Sequence, residues 1–282
     1  MLTAVLICLA IIPVVLICTY IYRKDKNKEP SSLLVKLFLL GIACCILVLL
    51  LSDVLSLVFP FMDKGTTSMN IFEVLAYSFI GVALVEEFCK WLMVYLGAYS
   101  HKAYDEVYDG IVYSVYVSLG FAFIENLLYV LGNESISIGI ARGLLAVPAH
   151  ACDAVFMGYY LSLAKAYASR GQKKLEKKNL ILSVVAPTIL HGTYDFCLFA
   201  QEISLMLVFV IFVITLFIIS IKKIKQLSSS QKTKNSHQNN YYTQRTNQDQ
   251  SSTVNNQQNN FCSNCGVKVD GNFCGNCGTR QN

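Results

Sequence analysis

The sequence predicts an all-α, polytopic membrane protein of about seven transmembrane helices, followed by a small cytoplasmic zinc ribbon. Three observations predict it. Of 282 residues, 54% are hydrophobic and 15% charged, and the mean hydropathy of +0.48 exceeds what a soluble core requires. The apolar residues fall into runs of about 20 or more, the length that crosses a bilayer's hydrocarbon. Four cysteines near the end of the chain have the spacing of a closed metal shell.

The apolar runs lie at residues 2–22, 33–59, 71–98, 107–131, 138–168, 180–200 and 203–221. The first has no basic residue before it and no small-residue cleavage site after it, so it reads as an uncleaved span rather than a signal peptide. Basic residues collect in alternate connections: Arg23, Lys24, Lys26 and Lys28; Lys102; Lys165, Arg170, Lys173, Lys174, Lys177 and Lys178; Lys222, Lys223 and Lys225. The opposite connections hold little beyond Lys64. The positive-inside rule therefore puts the N-terminus outside and the tail in the cytoplasm. The net charge of +5 is a topology signal, and no nucleic-acid partner is expected.

The membrane domain is thus predicted over residues 1–225. Residues 226–260 form a Ser, Asn and Gln tract too poor in apolar surface to fold, which predicts a disordered linker. Residues 261–282 read FCSNCGVKVDGNFCGNCGTRQN, with two Cys-x-x-Cys-Gly knuckles at Cys262, Cys265, Cys274 and Cys277. Each knuckle sets two thiolates on a tight turn, which Gly266 and Gly278 allow, and four sulfurs close a tetrahedral zinc shell. A closed shell has no place for substrate, so this zinc is structural, and the reducing cytoplasm disfavours disulfides instead. The segment resembles the zinc-ribbon modules appended to many bacterial membrane proteins, and implies a cytoplasmic partner that the sequence does not name. Cys8, Cys18, Cys44, Cys45, Cys89, Cys152 and Cys197, scattered through the spans, read as small buried hydrophobes.

Four stretches set ionisable groups deep in apolar runs: VEEFCKWLMVY with Glu86, Glu87 and Lys90; FAFIENLLY with Phe121, Glu125 and Asn126; PAHACDAVFMGYY with His150 and Asp153; HGTYDF with His191 and Asp195. Each charge costs roughly 2.5 to 3.5 kcal/mol at the centre of a span, so such groups face the bundle interior or a wet cavity and raise a functional hypothesis. Glu86 and Lys90, four apart, share a helix face, while Glu87 lies about 100° round from Glu86. Ser114, Ser118, Phe121 and Glu125 form one stripe, expected to line a polar crevice with Asn126 beside it. Asp195 can hold the imidazole of His191, and Asp153, three residues from His150, can do likewise. Pro148 and Pro187 release backbone carbonyls near the two histidines, which a hydrated cavity can satisfy. A structural alternative stands beside each: an ion pair at Glu86 and Lys90, interhelical hydrogen bonds at Glu125 and Asn126, and buried structural histidines.

Peptide hydrolysis needs an activated water, a donor for the developing oxyanion and a proton for the leaving amine. Two schemes fit these residues. In one, Glu86 takes the proton from water, His150 and His191 polarise the carbonyl, and Glu125 and Asn126 orient the groups. In the other, His150, His191 and one glutamate ligate a catalytic zinc while a second glutamate is the base. No His-Glu-x-x-His motif is present.

The sequence resembles the PrsW family of intramembrane proteases, distant relatives of the CAAX prenyl endopeptidases. The resemblance runs from about residue 71 to 200 on four motifs in order: Glu-Glu-x-x-Lys at 86–90, Phe-x-x-x-Glu-Asn at 121–126, His150 followed by Met-Gly-Tyr-Tyr ending at Tyr160, and His-Gly-x-Tyr-Asp at 191–195. It implies a multi-helix fold in a bacterial plasma membrane, with essential roles at Glu86, Glu87, Glu125, His150 and His191. It also implies a single-span membrane protein substrate, such as an anti-sigma factor cut to start a signalling cascade. The competing class is a non-catalytic scaffold whose polar cavity only recognises a partner helix. A transporter is disfavoured, since no paired half-repeats of broken spans surround the polar residues.

Overall fold

The computed structural model describes residues 2–231. The predicted zinc ribbon and nearly all of the linker before it therefore lie outside the described residues. Among the described residues every regular element is helical.

Six helices are long and apolar enough to cross a membrane: Leu2–Lys24, Ser31–Val58, Val107–Asn133, Ile136–Ala168, Lys173–Phe199 and Ile203–Ser230. We label the first two α1 and α2. The run expected at 71–98 is also helical, but it alternates between two windings: α3 (Ile71–Ala76), a π segment (Tyr77–Leu84), α4 (Val85–Val94) and a second π segment (Tyr95–Tyr99). Each π turn closes hydrogen bonds one residue further along and so turns the faces that follow it. Val107–Asn133 is α5. The next span begins as α6 (Ile136–Ala141), passes through a π segment at Arg142–Ala146 and continues as α7 (Val147–Ala168). The last two spans are α8 (Lys173–Phe199) and α9 (Ile203–Ser230).

Local chemistry sets several of these boundaries. At the start of α3, Asn70 accepts from the backbone N–H groups of Phe72 and Glu73, and Glu73 accepts in return from Asn70 N–H at 2.9 Å, a reciprocal cap. At the start of α5, Asp109 accepts from the backbone of Asp105 and Glu106. That helix ends at Glu134, whose φ of 47° is left-handed.

α5 and α7 form the centre, contributing Ile111, Val115, Leu119, Val155, Met157 and Leu161 to one buried cluster. Association in lipid depends on close packing rather than on a hydrophobic drive, so small residues decide how near two helices come. Gly110 and Gly158 bring α5 and α7 backbone to backbone, and a Cβ at either would overlap main-chain atoms of the other. Gly41 packs on Val117 and Phe121 in the same way, and Gly120 on Phe38, which joins α2 to α5. α8 lies across α7 and the π segment 77–84, with Gly192 against the ring of Phe79. Four elements are thereby drawn to one depth, α4, α5, α7 and α8.

Candidate active site

α4 follows directly on the π segment at 77–84 and presents Glu86, Glu87 and Lys90 inward, all buried. Lys90 is fully enclosed. Its Nζ donates to Glu86 Oε2 at 2.9 Å and to Glu87 Oε1 at 2.8 Å, and lies 3.3 Å from His150 Nδ1. Spacing alone pairs Lys90 with Glu86 and turns Glu87 away. The structure differs because i,i+3 neighbours on a helix are also in reach, so the long lysine stem serves both carboxylates.

Each histidine is gripped at one nitrogen and offers the other to this centre. His150 Nε2 meets Glu125 Oε2 at 2.8 Å, leaving Nδ1 toward Lys90. His191 Nε2 lies 3.4 Å from Asp195 Oδ2 and 3.9 Å from Glu86 Oε2, and its Nδ1 is 3.0 Å from Glu87 Oε1. The rings stand 5.2 Å apart and nearly perpendicular. A carboxylate on one ring nitrogen fixes tautomer and orientation, the arrangement found behind ligating histidines. The expected pair of His150 and Asp153 is replaced by an interhelical one: His150 projects across to Glu125 on α5, and Asp153 Oδ1 finds no hydrogen-bond partner among the described residues.

The donor set suits a metal. One ligand atom from each of Glu86, Glu87, His150 and His191 lies within 4.8 Å of the others. Two imidazoles with carboxylates form a zinc-type set. Three of the four also contact the Lys90 ammonium, so a metal bound here would share its donors with that cation. These residues therefore fit a catalytic metal.

A cavity of about 640 Å³ opens onto this centre. Glu86, Glu125, His150, His191 and Asp195 line it, together with Phe121 and Asp153. Glu87 and Lys90 lie behind them and are fully buried. Asn126 does not reach the cavity; it accepts from Arg142 Nε at 3.1 Å and donates to Ala10 O at 3.5 Å. Of the expected polar stripe on α5 only Phe121 and Glu125 face the cavity. Ser118 donates to His150 O at 2.9 Å, and Ser114 is enclosed, because the close approach of α7 covers that stretch of α5.

Arg142 belongs to the site although sequence reasoning passed over it. Its Nη2 lies 3.0 Å from Glu125 Oε2, the oxygen that also meets His150, and its guanidinium stacks 3.9 Å from the ring of Tyr129. The signal was present: an arginine a few residues inside the 138–168 run, at the end that the charge rule assigns to the outside.

A family model described as "PrsW family intramembrane metalloprotease" matches residues 29–220. The chain is 34% identical over 220 residues to the Protease PrsW of Oceanobacillus iheyensis, covering 78% of this chain and 94% of the relative. It is 39% identical over 198 residues to that of Geobacillus kaustophilus (70% and 81% covered) and 37% over 205 residues to that of Bacillus subtilis (72% and 87%). No solved structure matches the chain.

Proposed function

The chain belongs to the PrsW family of intramembrane metalloproteases, and from that premise we propose that Glu86, Glu87, His150 and His191 form its hydrolytic centre. It is a multi-pass membrane endopeptidase, a hydrolase acting on membrane-protein substrates. The observation that carries the assignment of residues is convergence. Groups from α4, α5, α7 and α8, far apart in sequence, meet within hydrogen-bonding distance at the floor of one cavity.

The two glutamates divide the work by position. Glu86 reaches the cavity, so it is the base that takes the proton from the attacking water. Glu87 is enclosed, so it holds Lys90 and His191 in place. Glu125 and Asp195 orient the two imidazoles, and Asn126 positions Arg142 against Glu125. Lys90 balances the negative charge of the paired glutamates. His150, His191 and a glutamate would hold a catalytic zinc, which when bound supplies a Lewis acid for the scissile carbonyl.

Residues 71–99 are read here as a seventh span. A helix of that length runs about 40 Å, enough to cross, and its three buried charges satisfy one another. On that reading of seven spans, the alternating basic connections in the sequence support an N-terminus outside and a tail in the cytoplasm of a bacterial cell. Residues 59–70 then lie outside, and so does the end of the cavity beside them. The substrate is a single-span membrane protein, an anti-sigma factor being the example that fits regulated signalling. On this reading residues 226–260 tether a four-cysteine zinc ribbon at 261–282 to the membrane domain.

The test compares membranes of cells carrying wild type and Glu86→Gln, searching by fragment mapping for membrane proteins that persist uncut. Single changes Glu86→Gln, Glu87→Gln, His150→Ala and His191→Ala should each abolish that cleavage while the protein still inserts. Full activity in Glu86→Gln and His191→Ala would overturn the assignment.

A further inference from the structure

We propose that the cavity admits the substrate's membrane span sideways between α2 and α5, and that Asp53 and Asp63 at its loop end select a basic residue flanking that span; this rests on the protease reading above. α2 and α5 run in the same direction and are pinned backbone to backbone at Gly41 and Gly120. Beyond that contact the cavity lies between them. Cys45, Leu49 and Asp53 line it from α2, and Phe121, Glu125 and Leu128 from α5, each set at helical spacing on one face. Leu49 and Leu128 are nevertheless 61% and 63% exposed, so the cavity breaches the apolar flank of the bundle. An opening through an apolar wall passes an apolar segment without taking it through water.

The interior also expects a guest. Asp153 is only 2% exposed and lines the cavity, yet its Oδ1 accepts no hydrogen bond among the described residues. An intact helix has no main-chain N–H to give it; a segment unwound around the scissile bond has. At the loop end Asp53 and Asp63 line the same cavity and are exposed, and neither pairs with a cation among the described residues. Lys64, the cation next in sequence, is taken by Glu73 at 2.8 Å. The complementary charge must come from the occupant. An arginine or lysine just past the end of an apolar span supplies it, its stem lying along the apolar rim.

The experiment uses the full-length Glu86→Gln protein in zwitterionic liposomes, which docks without cutting. The probe is a synthetic single-span peptide of leucine and alanine with a central benzophenone, flanked at both ends by either two arginines or two glutamates. Crosslinks should map to Leu49, Leu128 and their neighbours. The arginine probe should give about three to five times the yield of the glutamate probe, as one or two exposed ion pairs would. Asp53→Asn with Asp63→Asn should erase that difference, and Asp53→Lys with Asp63→Lys should reverse it. Crosslinks on α1 or α9, crosslinks to a second copy of the chain, or equal yields for both probes would overturn the proposal. Cutting of the arginine probe by the wild-type protein is scored separately and tests the protease reading on its own.

Discussion

Glu86 and Glu87 are adjacent in sequence and unlike in surroundings, and a pair of glutamine substitutions should separate them. Glu87→Gln removes one of two carboxylates from a fully enclosed lysine and leaves buried positive charge poorly compensated, at a cost of about 3 kcal/mol. Its thermal unfolding in detergent should therefore fall clearly below wild type. Glu86 lines the cavity, where water can replace its carboxylate, and Glu87 stays to hold both Lys90 and His191, so Glu86→Gln should lose hydrolysis by a factor of about 100 or more with a much smaller change in unfolding temperature. Equal destabilisation by both would mean that the two share one structural role. Arg142 can be examined in the same way. Arg142→Ala releases Glu125 and so loosens His150, which should lower kcat about 10- to 100-fold with little change in KM, and Arg142→Lys should restore part of it. A residue that only braced the fold would not split kcat from KM in this way. At this scale the sequence marked the glutamates, the lysine and the histidines of the centre, because a costly residue in an apolar run stands out, and passed over Arg142 only because that residue lies near the end of its run. It could not show partners on other helices: His150 pairs with Glu125 on α5, and not with Asp153 on its own helix.

Among elements, five of the seven apolar runs match their helical segments to within about two residues at each end, while α8 begins earlier, at Lys173, and α9 continues to Ser230, because hydropathy reports where lipid replaces water and not where a helix runs on past it. Winding was not legible. The π segments lie at Tyr77–Leu84, Tyr95–Tyr99 and Arg142–Ala146, and nothing in residue spacing marks the wider turn. Two of them directly precede the helices carrying Glu86 and His150; the spacings read within those helices hold because α4 and α7 are themselves regular, and what stayed hidden was which neighbouring helix each face meets. On α5, which is regular throughout, the limit was different: Ser114 and Ser118 drop out of the expected crevice because α7 covers them, while Phe121 and Glu125 stay. Helix spacing is equally specific. Gly158→Val would drive a side chain into the backbone of α5 at Gly110, and overpacking of this kind costs about 1 to 3 kcal/mol. Because α5 and α7 carry Glu125 and His150, the variant should lose activity more steeply than unfolding temperature. Gly132→Val, where a Cβ meets nothing within 4 Å, is the control that should change neither.

For the whole molecule, the family match over residues 29–220 covers the helices that build the site and leaves out α1 and everything after Ser220. The tail's cysteines therefore have to be assigned by their own chemistry, and metal content can do so because the two candidate zinc sites have disjoint ligands. Purified protein should carry one zinc that disappears when Cys262 and Cys274 are changed to serine, with hydrolysis retained, since a closed shell of four thiolates offers no open position to substrate. A second equivalent, if the donors at His150, His191 and the two glutamates bind metal in the membrane, should survive that change and vanish in His150→Ala with His191→Ala. The chelator response should divide in the same way. Zinc held by the four tail cysteines should leave to an added chelator at a rate independent of the histidines, whereas zinc at the buried centre should leave only as fast as the cavity admits the chelator. Elemental analysis and activity of protein with both histidines intact, before and after chelation, therefore decide whether hydrolysis depends on zinc: activity lost with the histidine-dependent equivalent and regained on adding zinc requires the metal, and full activity in protein stripped of that equivalent would leave Glu86 and the two imidazoles to act without it.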